Sequence, residues 1–276
     1  MSEQTILVQA GRGKTGKRVA RQLRERGITV RAASRSGETR FDWMDESTWG
    51  PALAGVDAVY LVPLEATGDQ HDEVPRFVRQ AVAAGVRKLV MLSARDVDTF
   101  EVEGTLNAER AVRESGVPWT ILRPGWFHQN FDEDFFEPSV RAGEVLLATG
   151  DGLEPFIDAE DIAEVAVAAF TQDGHDGQIY DLSGAEPLTF PQALEIIAAE
   201  LGREIRVVDV EPAEYIEQQV GLGMPREFAE LIARLYERIR AGKEAHLSDG
   251  VQRVLGREPR PFAAYVKNAV AAGSWN

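Results

Sequence analysis

The chain has no cysteine, which excludes disulfides, thiolate metal sites and a cysteine nucleophile. No apolar run reaches the ~18 residues that would cross a bilayer. The first strand begins within a few residues of Met1, with no secretory signal ahead of it, so a soluble cytoplasmic protein with no membrane contact is expected. Positive charge is short: 30 Lys and Arg stand against 45 Asp and Glu, for a formal charge of −15. Such a surface repels phosphate backbones. Arg18, Arg21, Arg24 and Arg26 point several ways around one helix, so direct nucleic-acid binding is not expected. Histidine is scarce too, with four in the chain. His128 has no second histidine or carboxylate at ligand spacing, so no metal site is expected and a hydrogen-bonded or exposed ring is its default state.

The 276 residues exceed one typical domain without sufficing for two large ones, and 44% apolar composition supplies a core. The most informative stretch joins an apolar strand to a glycine turn, Ala10-Gly11-Arg12-Gly13-Lys14-Thr15-Gly16, with a helical pattern over residues 17–27. Strand, glycine turn and helix together suit a dinucleotide: the backbone can approach the pyrophosphate, and the helix N-terminus faces it with N–H groups and partial positive charge. A second strand over residues 29–33 ends at Ser34-Arg35-Ser36-Gly37, about twenty residues on, where this arrangement meets the adenosine ribose. An acidic residue there would accept from a free 2′-hydroxyl. Arg35 matches a 2′-phosphate instead, by charge and by bidentate geometry. NADP(H) is therefore expected in preference to NAD(H).

Further strands are expected over residues 40–42, 58–62, 88–92, 119–122 and 178–182, with helices over 73–84, 107–115 and 161–170. Strands separated by helices imply an α/β fold with a doubly wound parallel sheet. The pattern loosens after Pro124. Thr189 and Gln192 have capping-box spacing and open a helix through Leu201, and the remainder reads as mainly helical with breaks at Pro212, Pro225 and Pro259. The expected organisation is a dinucleotide-binding domain over residues 1–150, to which 155–183 return. A smaller substrate-side lobe follows over 184–276, with a contribution from 126–150.

Ligands of an open parallel sheet lie beyond the carboxyl ends of its strands, which gathers the glycine turn, Pro63, Leu64, Ser93 and residues 124–127 around one crevice. Trp126, Phe127 and Phe131 fit an apolar core there as well as a pocket wall. The usual proton donor of short-chain reductases, a tyrosine with a lysine four residues on, is missing. None of Tyr60, Tyr180, Tyr215, Tyr236 and Tyr265 has that lysine. A reductase without a positioned acid suits acceptors that take hydride readily, such as quinones or iminium ions, and a protein that only senses the cofactor would need no acid either.

Several motifs together carry a family resemblance: Gly13 to Gly16, Ser34-Arg35, Ala108-Glu109-Arg110, Ser115-Gly116-Val117, Leu122-Arg123-Pro124-Gly125-Trp126-Phe127 with Asn130, and Tyr180-Asp181-Leu182-Ser183-Gly184. The chain resembles the NmrA-like atypical short-chain dehydrogenase/reductases almost end to end. Within them it is similar to bacterial NAD(P)H:quinone oxidoreductases and fungal ergot-alkaloid reductases. The resemblance implies a Rossmann fold with a mostly helical C-terminal lobe. Residues Gly11, Arg12, Gly13, Lys14, Thr15 and Gly16 would hold the pyrophosphate, and Ser34 and Arg35 the 2′-phosphate end. Asp42 and Trp43 would lie by the adenine, while Pro63, Leu64, Ser93, Pro124, Gly125, Trp126 and Phe127 would line the nicotinamide. Trp126, Phe127, His128 and Asn130 would face the substrate and are the catalytic candidates. The family turn usually opens on glycine where this chain has Ala10, with Gly11 next to it as the source of compensating freedom. The leading expectation is an NADPH-dependent oxidoreductase for a small conjugated acceptor. A non-catalytic redox sensor and a non-redox isomerase or cyclase are the alternatives, and a homodimer is left open.

Overall fold

The computed structural model describes residues 4–63, 72–100 and 103–276, which divide into two compact units. The chain runs through β1 (Thr5–Val8), α1 (Lys14–Glu25), β2 (Thr29–Ser34), β3 (Thr39–Arg40), α2 (Trp49–Leu53), β4 (Ala58–Leu61), α3 (Glu73–Ala83), β5 (Lys88–Leu92), α4 (Val97–Phe100), α5 (Glu103–Arg113) and β6 (Trp119–Pro124) in the first unit. It returns there with α7 (Ala159–Thr171), β9 (Gln178–Leu182) and α11 (Gly250–Leu255). The second unit holds α6 (Glu137–Ala142), β7 (Glu144–Leu147), β8 (Leu153–Glu154), β10 (Leu188–Thr189), α8 (Phe190–Leu201), β11 (Arg206–Asp209), α9 (Pro212–Gly221), α10 (Arg226–Arg240) and α12 (Phe262–Ala271).

The first unit is a seven-stranded sheet of order β3-β2-β1-β4-β5-β6-β9 in which every neighbouring pair is parallel. Both faces are covered. Leu7, Val59, Leu61, Leu89, Met91 and Ile121 pack with Phe77, Val78 and Ala81 of α3 and with Val112 of α5. The alternate residues Ile6, Val8, Ala58, Tyr60 and Val90 are buried as well, as the two-residue period of a strand requires. Helices α1, α7 and α11 pack together, as do α2, α3 and α5. The strand order reverses between β1 and β4, and that is the switch point of a doubly wound sheet.

The glycine turn sets how α1 lies on β1. Ala10 adopts φ +48°, and its carbonyl accepts from Gly13 N–H at 2.7 Å. A Cβ on Gly16 would stand 2.1 Å from that same oxygen, so only glycine lets the first turn of α1 come this close. The expectation that Gly11 would relieve the turn is corrected here. Gly11 stays out of the left-handed region, and Ala10 itself carries the strain. Gly11 serves another contact: its N–H donates to Ala33 O at 2.9 Å, and a Cβ there would meet the Ala32 Cβ at 2.9 Å. Helix α1 accordingly starts at Lys14, three residues before the apolar pattern shows it.

The second unit is mainly helical, as expected, and adds two short strand pairs. β11 pairs in parallel with β7, and β10 pairs antiparallel with β8. Pro212 opens α9 instead of breaking a helix, as suits a residue with fixed φ and no N–H to satisfy. Phe131, Phe136, Phe156, Phe190, Tyr236 and Phe262 form an aromatic core in this unit. The capping box at α8 is present in both directions, Gln192 N–H to Thr189 Oγ1 at 3.1 Å and Thr189 N–H to Gln192 Oε1 at 2.9 Å.

Two stability predictions arise from these contacts. Thr189→Ala should cost about 1 kcal/mol in denaturant unfolding, with Thr189→Ser close to neutral. Ala10→Gly should stabilise by about 1 kcal/mol through release of the left-handed alanine, whereas Gly16→Ala should lose about 1–3 kcal/mol because its Cβ meets fixed backbone. A destabilised Ala10→Gly variant would refute the account of the turn.

Candidate functional site

The carboxyl ends of β1 and β4 meet at the switch point, where Gln9 is fully buried. Its N–H donates to Tyr60 O at 3.1 Å and its Oε1 accepts from Val62 N–H at 3.1 Å, which ties the two strand ends together. The glycine turn follows directly. Gly13 is the N-cap of α1, no side chain caps the helix, and its first turn holds no acidic residue. An uncapped twelve-residue helix preceded by glycines presents its positive end to an anion, so the residues present fit a pyrophosphate. Gly11, Gly13, Lys14, Thr15 and Gly16 all lie in this turn or in the first turn of α1. Arg12 departs from the expected place, for its Nη1 donates to Ser36 Oγ in the turn after β2, at 3.1 Å. Arg35 is exposed in that same turn, and Ser34 closes β2.

Two residues expected beside the adenine have structural roles. Asp42 Oδ1 accepts from Met44 N–H at 3.0 Å, and Asp42 N–H donates to Thr48 Oγ1 at 3.0 Å. Trp43 is buried, donates from Nε1 to Val62 O at 3.1 Å, and sits edge-on to Phe41, Trp49 and Phe77. The side chain left outside is Met44, 61% exposed and passed over by the sequence reading. Pro63 is half-buried just past β4, and Leu64 lies outside the described residues.

Ser93 stands just past the end of β5, where its Oγ donates to Glu109 Oε1 at 2.5 Å. Glu109 is buried and receives Arg123 at 2.9 and 2.6 Å, while Arg123 also reaches Asp98 at 2.8 and 3.1 Å. The hydrogen bond to Glu109, above all, raises the Arg123 guanidinium beyond its already high ordinary value. Glu109 and Arg123 entered the sequence reading only as motif letters. The bond between Ser93 and Glu109 needed the packing of α5 on β5 to appear. The carbonyl of Pro124, the last residue of β6, accepts from Arg95 N–H at 3.0 Å.

The remaining candidates belong to the second unit. Trp126 is half-buried, stacked on Tyr236 at 5.8 Å and edge-on to Phe190 at 5.4 Å. Gly125 and Phe127 are half-buried, and Phe127 forms a backbone bridge with Ile157. His128 is fully buried and lies against Phe262 and Tyr265; its Nε2 donates to Phe156 O at 2.9 Å. A carbonyl can only accept, so Nε2 carries a proton. Asn130 is buried too. The geometry therefore gives His128 and Asn130 the surroundings of core residues, and leaves Trp126 and Phe127 as the substrate-side candidates with surface.

All five tyrosines are at most 6% exposed. Burial comes first among the causes that push each phenol above its ordinary value, in Tyr60, Tyr180, Tyr215, Tyr236 and Tyr265 alike. The Tyr265 hydroxyl is further committed to Asp132 at 2.6 Å. Among the described residues, no helix is long and apolar enough to cross a membrane, and no group of three or more His, Asp or Glu could hold a metal.

Residues 10–173 match a family model described as NAD(P)H-binding. The chain is 36% identical to the uncharacterized oxidoreductase YesF of Bacillus subtilis, an alignment that covers 100% of this chain and 98% of that protein. It is 34% identical to agroclavine dehydrogenase of Claviceps fusiformis, with 96% of each covered. In fold it resembles the NADPH-dependent quinone oxidoreductase QOR2 of Escherichia coli, solved with NADPH. There the TM-score is 0.77 at 22% identity, covering 96% of this chain and 99% of that one. With its uncapped glycine turn at the switch point of a parallel sheet, the chain belongs to the NAD(P)H-binding family and is an NAD(P)H-dependent oxidoreductase.

Proposed function

We propose that the protein reduces a small conjugated acceptor of the quinone or iminium type, with NADPH as the preferred reductant. The observation that carries this reading is the burial of every tyrosine together with the commitment of the Ser93 hydroxyl to Glu109. A simple ketone reduced to an alkoxide needs an acid at its oxygen. A quinone spreads the incoming charge by conjugation, and an iminium carbon is neutralised by the hydride, so neither needs much acid catalysis from protein. The bound reduced nicotinamide supplies that hydride. The chain's own work is to hold the two reactants in register, which can remove a large part of a bimolecular barrier.

In this reading the glycine turn and the N-terminus of α1 hold the pyrophosphate, and Arg35 the 2′-phosphate. Met44 stands for the adenine contact in place of Trp43. Pro63, Ser93 and Pro124 lie at the strand ends on the nicotinamide side, and Trp126 and Phe127, which follow β6 directly, influence acceptor choice. The second unit is the substrate-side lobe. The same lack of an available acid favours a second reading, a cofactor sensor that does not turn over, because a protein that only binds the cofactor needs no proton donor.

NADPH should bind at least about tenfold more tightly than NADH in fluorescence titrations, since a charge-assisted hydrogen bond contributes about 1.5–3 kcal/mol. Arg35→Ala should remove most of that difference, and equal affinities in the unaltered protein would overturn the cofactor assignment. NADPH oxidation should depend on an added quinone or iminium compound, and no single Tyr→Phe change should abolish it. The sensor reading instead expects tight binding with no turnover on any acceptor. Loss of activity in Tyr180→Phe would mean that a buried phenol does act as the acid, and the mechanism would fall.

A further inference from the structure

Arg12 leaves its own turn. It is exposed between Gly11 and Gly13, yet its Nη1 donates to Ser36 Oγ, 24 residues on and in the turn that follows β2. The guanidinium therefore lies over the β2 turn and not at the start of α1. We propose that Arg12 is the second arm of a 2′-phosphate clamp, closing on the phosphate opposite Arg35 with Ser36 between them. The inference rests on the NADPH reading above and adds the residues that enforce it.

The charge pattern supports this. Arg18, Arg21 and Arg40, on the elements around this turn, are each paired with a carboxylate, while Arg26 and Arg31 are spent on backbone carbonyls away from it. Arg12 and Arg35 have no carboxylate partner among the described residues, in a chain where acids outnumber bases by 45 to 30. Two unpaired guanidiniums at one strand end, in so acidic a protein, match an anion that arrives with the ligand. The hydrogen bonding points the same way. A guanidinium has five donors and the Ser36 contact uses one of them, so the remaining donors can fork onto phosphate oxygens. Ser36 accepts from Arg12 on its oxygen and keeps its own proton to donate. In the same turn the Ser34 hydroxyl is buried with no hydrogen bond, and a Cβ at Gly37 would come within 2.8 Å of it. The turn thus holds a spare hydroxyl donor with no side chain packed over it.

The Arg12–Ser36 bond also sets the arm before any ligand arrives. Less freedom is then lost on binding, and affinity gains accordingly. An arginine that served the pyrophosphate would respond to any adenine nucleotide. One that serves the clamp responds only to those phosphorylated at the 2′ position.

Calorimetric titration with adenosine 2′,5′-bisphosphate and adenosine 5′-monophosphate separates these roles without any turnover. The unaltered protein should prefer the bisphosphate. Arg12→Ala should weaken the bisphosphate by about tenfold and leave the monophosphate unchanged. Ser36→Asp, which sets a carboxylate between the two arms, should erase the preference altogether. Circular dichroism of each variant checks that the fold is intact, and Arg12→Lys, which keeps the charge but not the fork, should fall between wild type and alanine. Equal losses for both nucleotides in Arg12→Ala would return Arg12 to the pyrophosphate and overturn the proposal, as would no loss for either. If Arg35→Ala erases the preference while Arg12→Ala keeps it, the clamp fails and the NADPH assignment stands. If the unaltered protein shows no preference at all, both fail.

Discussion

The molecule depends on one contact, the approach of the Ala10 carbonyl to Gly16. It brings the first turn of α1 down onto the end of β1 at a separation that no side chain permits. From that contact follow the uncapped helix end beside the switch point, the bond from Gly11 to Ala33 that seats the turn against β2, and the reach of Arg12 to the turn beyond. It also explains an asymmetry between neighbouring positions. Gly16 faces fixed backbone, whereas Ala10 needs only a rarely populated φ, which alanine can adopt at a cost of about 1–2 kcal/mol.

Ser93, proposed above for the nicotinamide side, is a fixed acceptor and not an acid. The Ser93 hydroxyl donates a hydrogen bond to Glu109, and Arg123 holds Glu109 through both carboxylate oxygens. What remains exposed to a ligand at Ser93 is lone-pair density. Such a group can orient an N–H or O–H donor, but it is a poor proton source, because releasing its proton would break a short bond to a buried carboxylate. The polar cluster of the second unit is likewise internal. Gln129 donates to Asp158 at 2.8 Å, and Asp132 accepts from both Tyr265 and Ser274.

Much of the architecture was legible because it is written in local periodicity. The strands at residues 58–62, 88–92 and 178–182, the end of α3 before Gly85 and the capping box at Thr189 all appear within a turn or so of where they were expected. The strands β7 and β11 escaped because each is four residues long and stabilised by the other across some sixty positions, a pairing with no local signature. The candidate site was legible to the depth of the backbone. The glycine turn could be read from residue types, since glycine is a statement about the main chain. Side-chain commitments could not: Trp43 is drawn inward by three aromatic neighbours, His128 by a carbonyl, and Arg12 outward by a serine on another turn. Each of these depends on a partner distant in the chain.

The path of the chain between the units has a consequence for its synthesis. The first unit is assembled from residues 1–124, 159–182 and 250–257, so the chain passes between units five times. During translation, β6 emerges with one edge open and stays so until β9, more than fifty residues later, pairs with it. The first unit is complete only when Arg257 arrives to meet the buried carboxylate of Asp161. By then most of the second unit has also left the ribosome, so neither unit can finish folding before the other is largely made. A nascent chain of this kind exposes an unpaired strand edge for a long interval, the circumstance in which chaperones act.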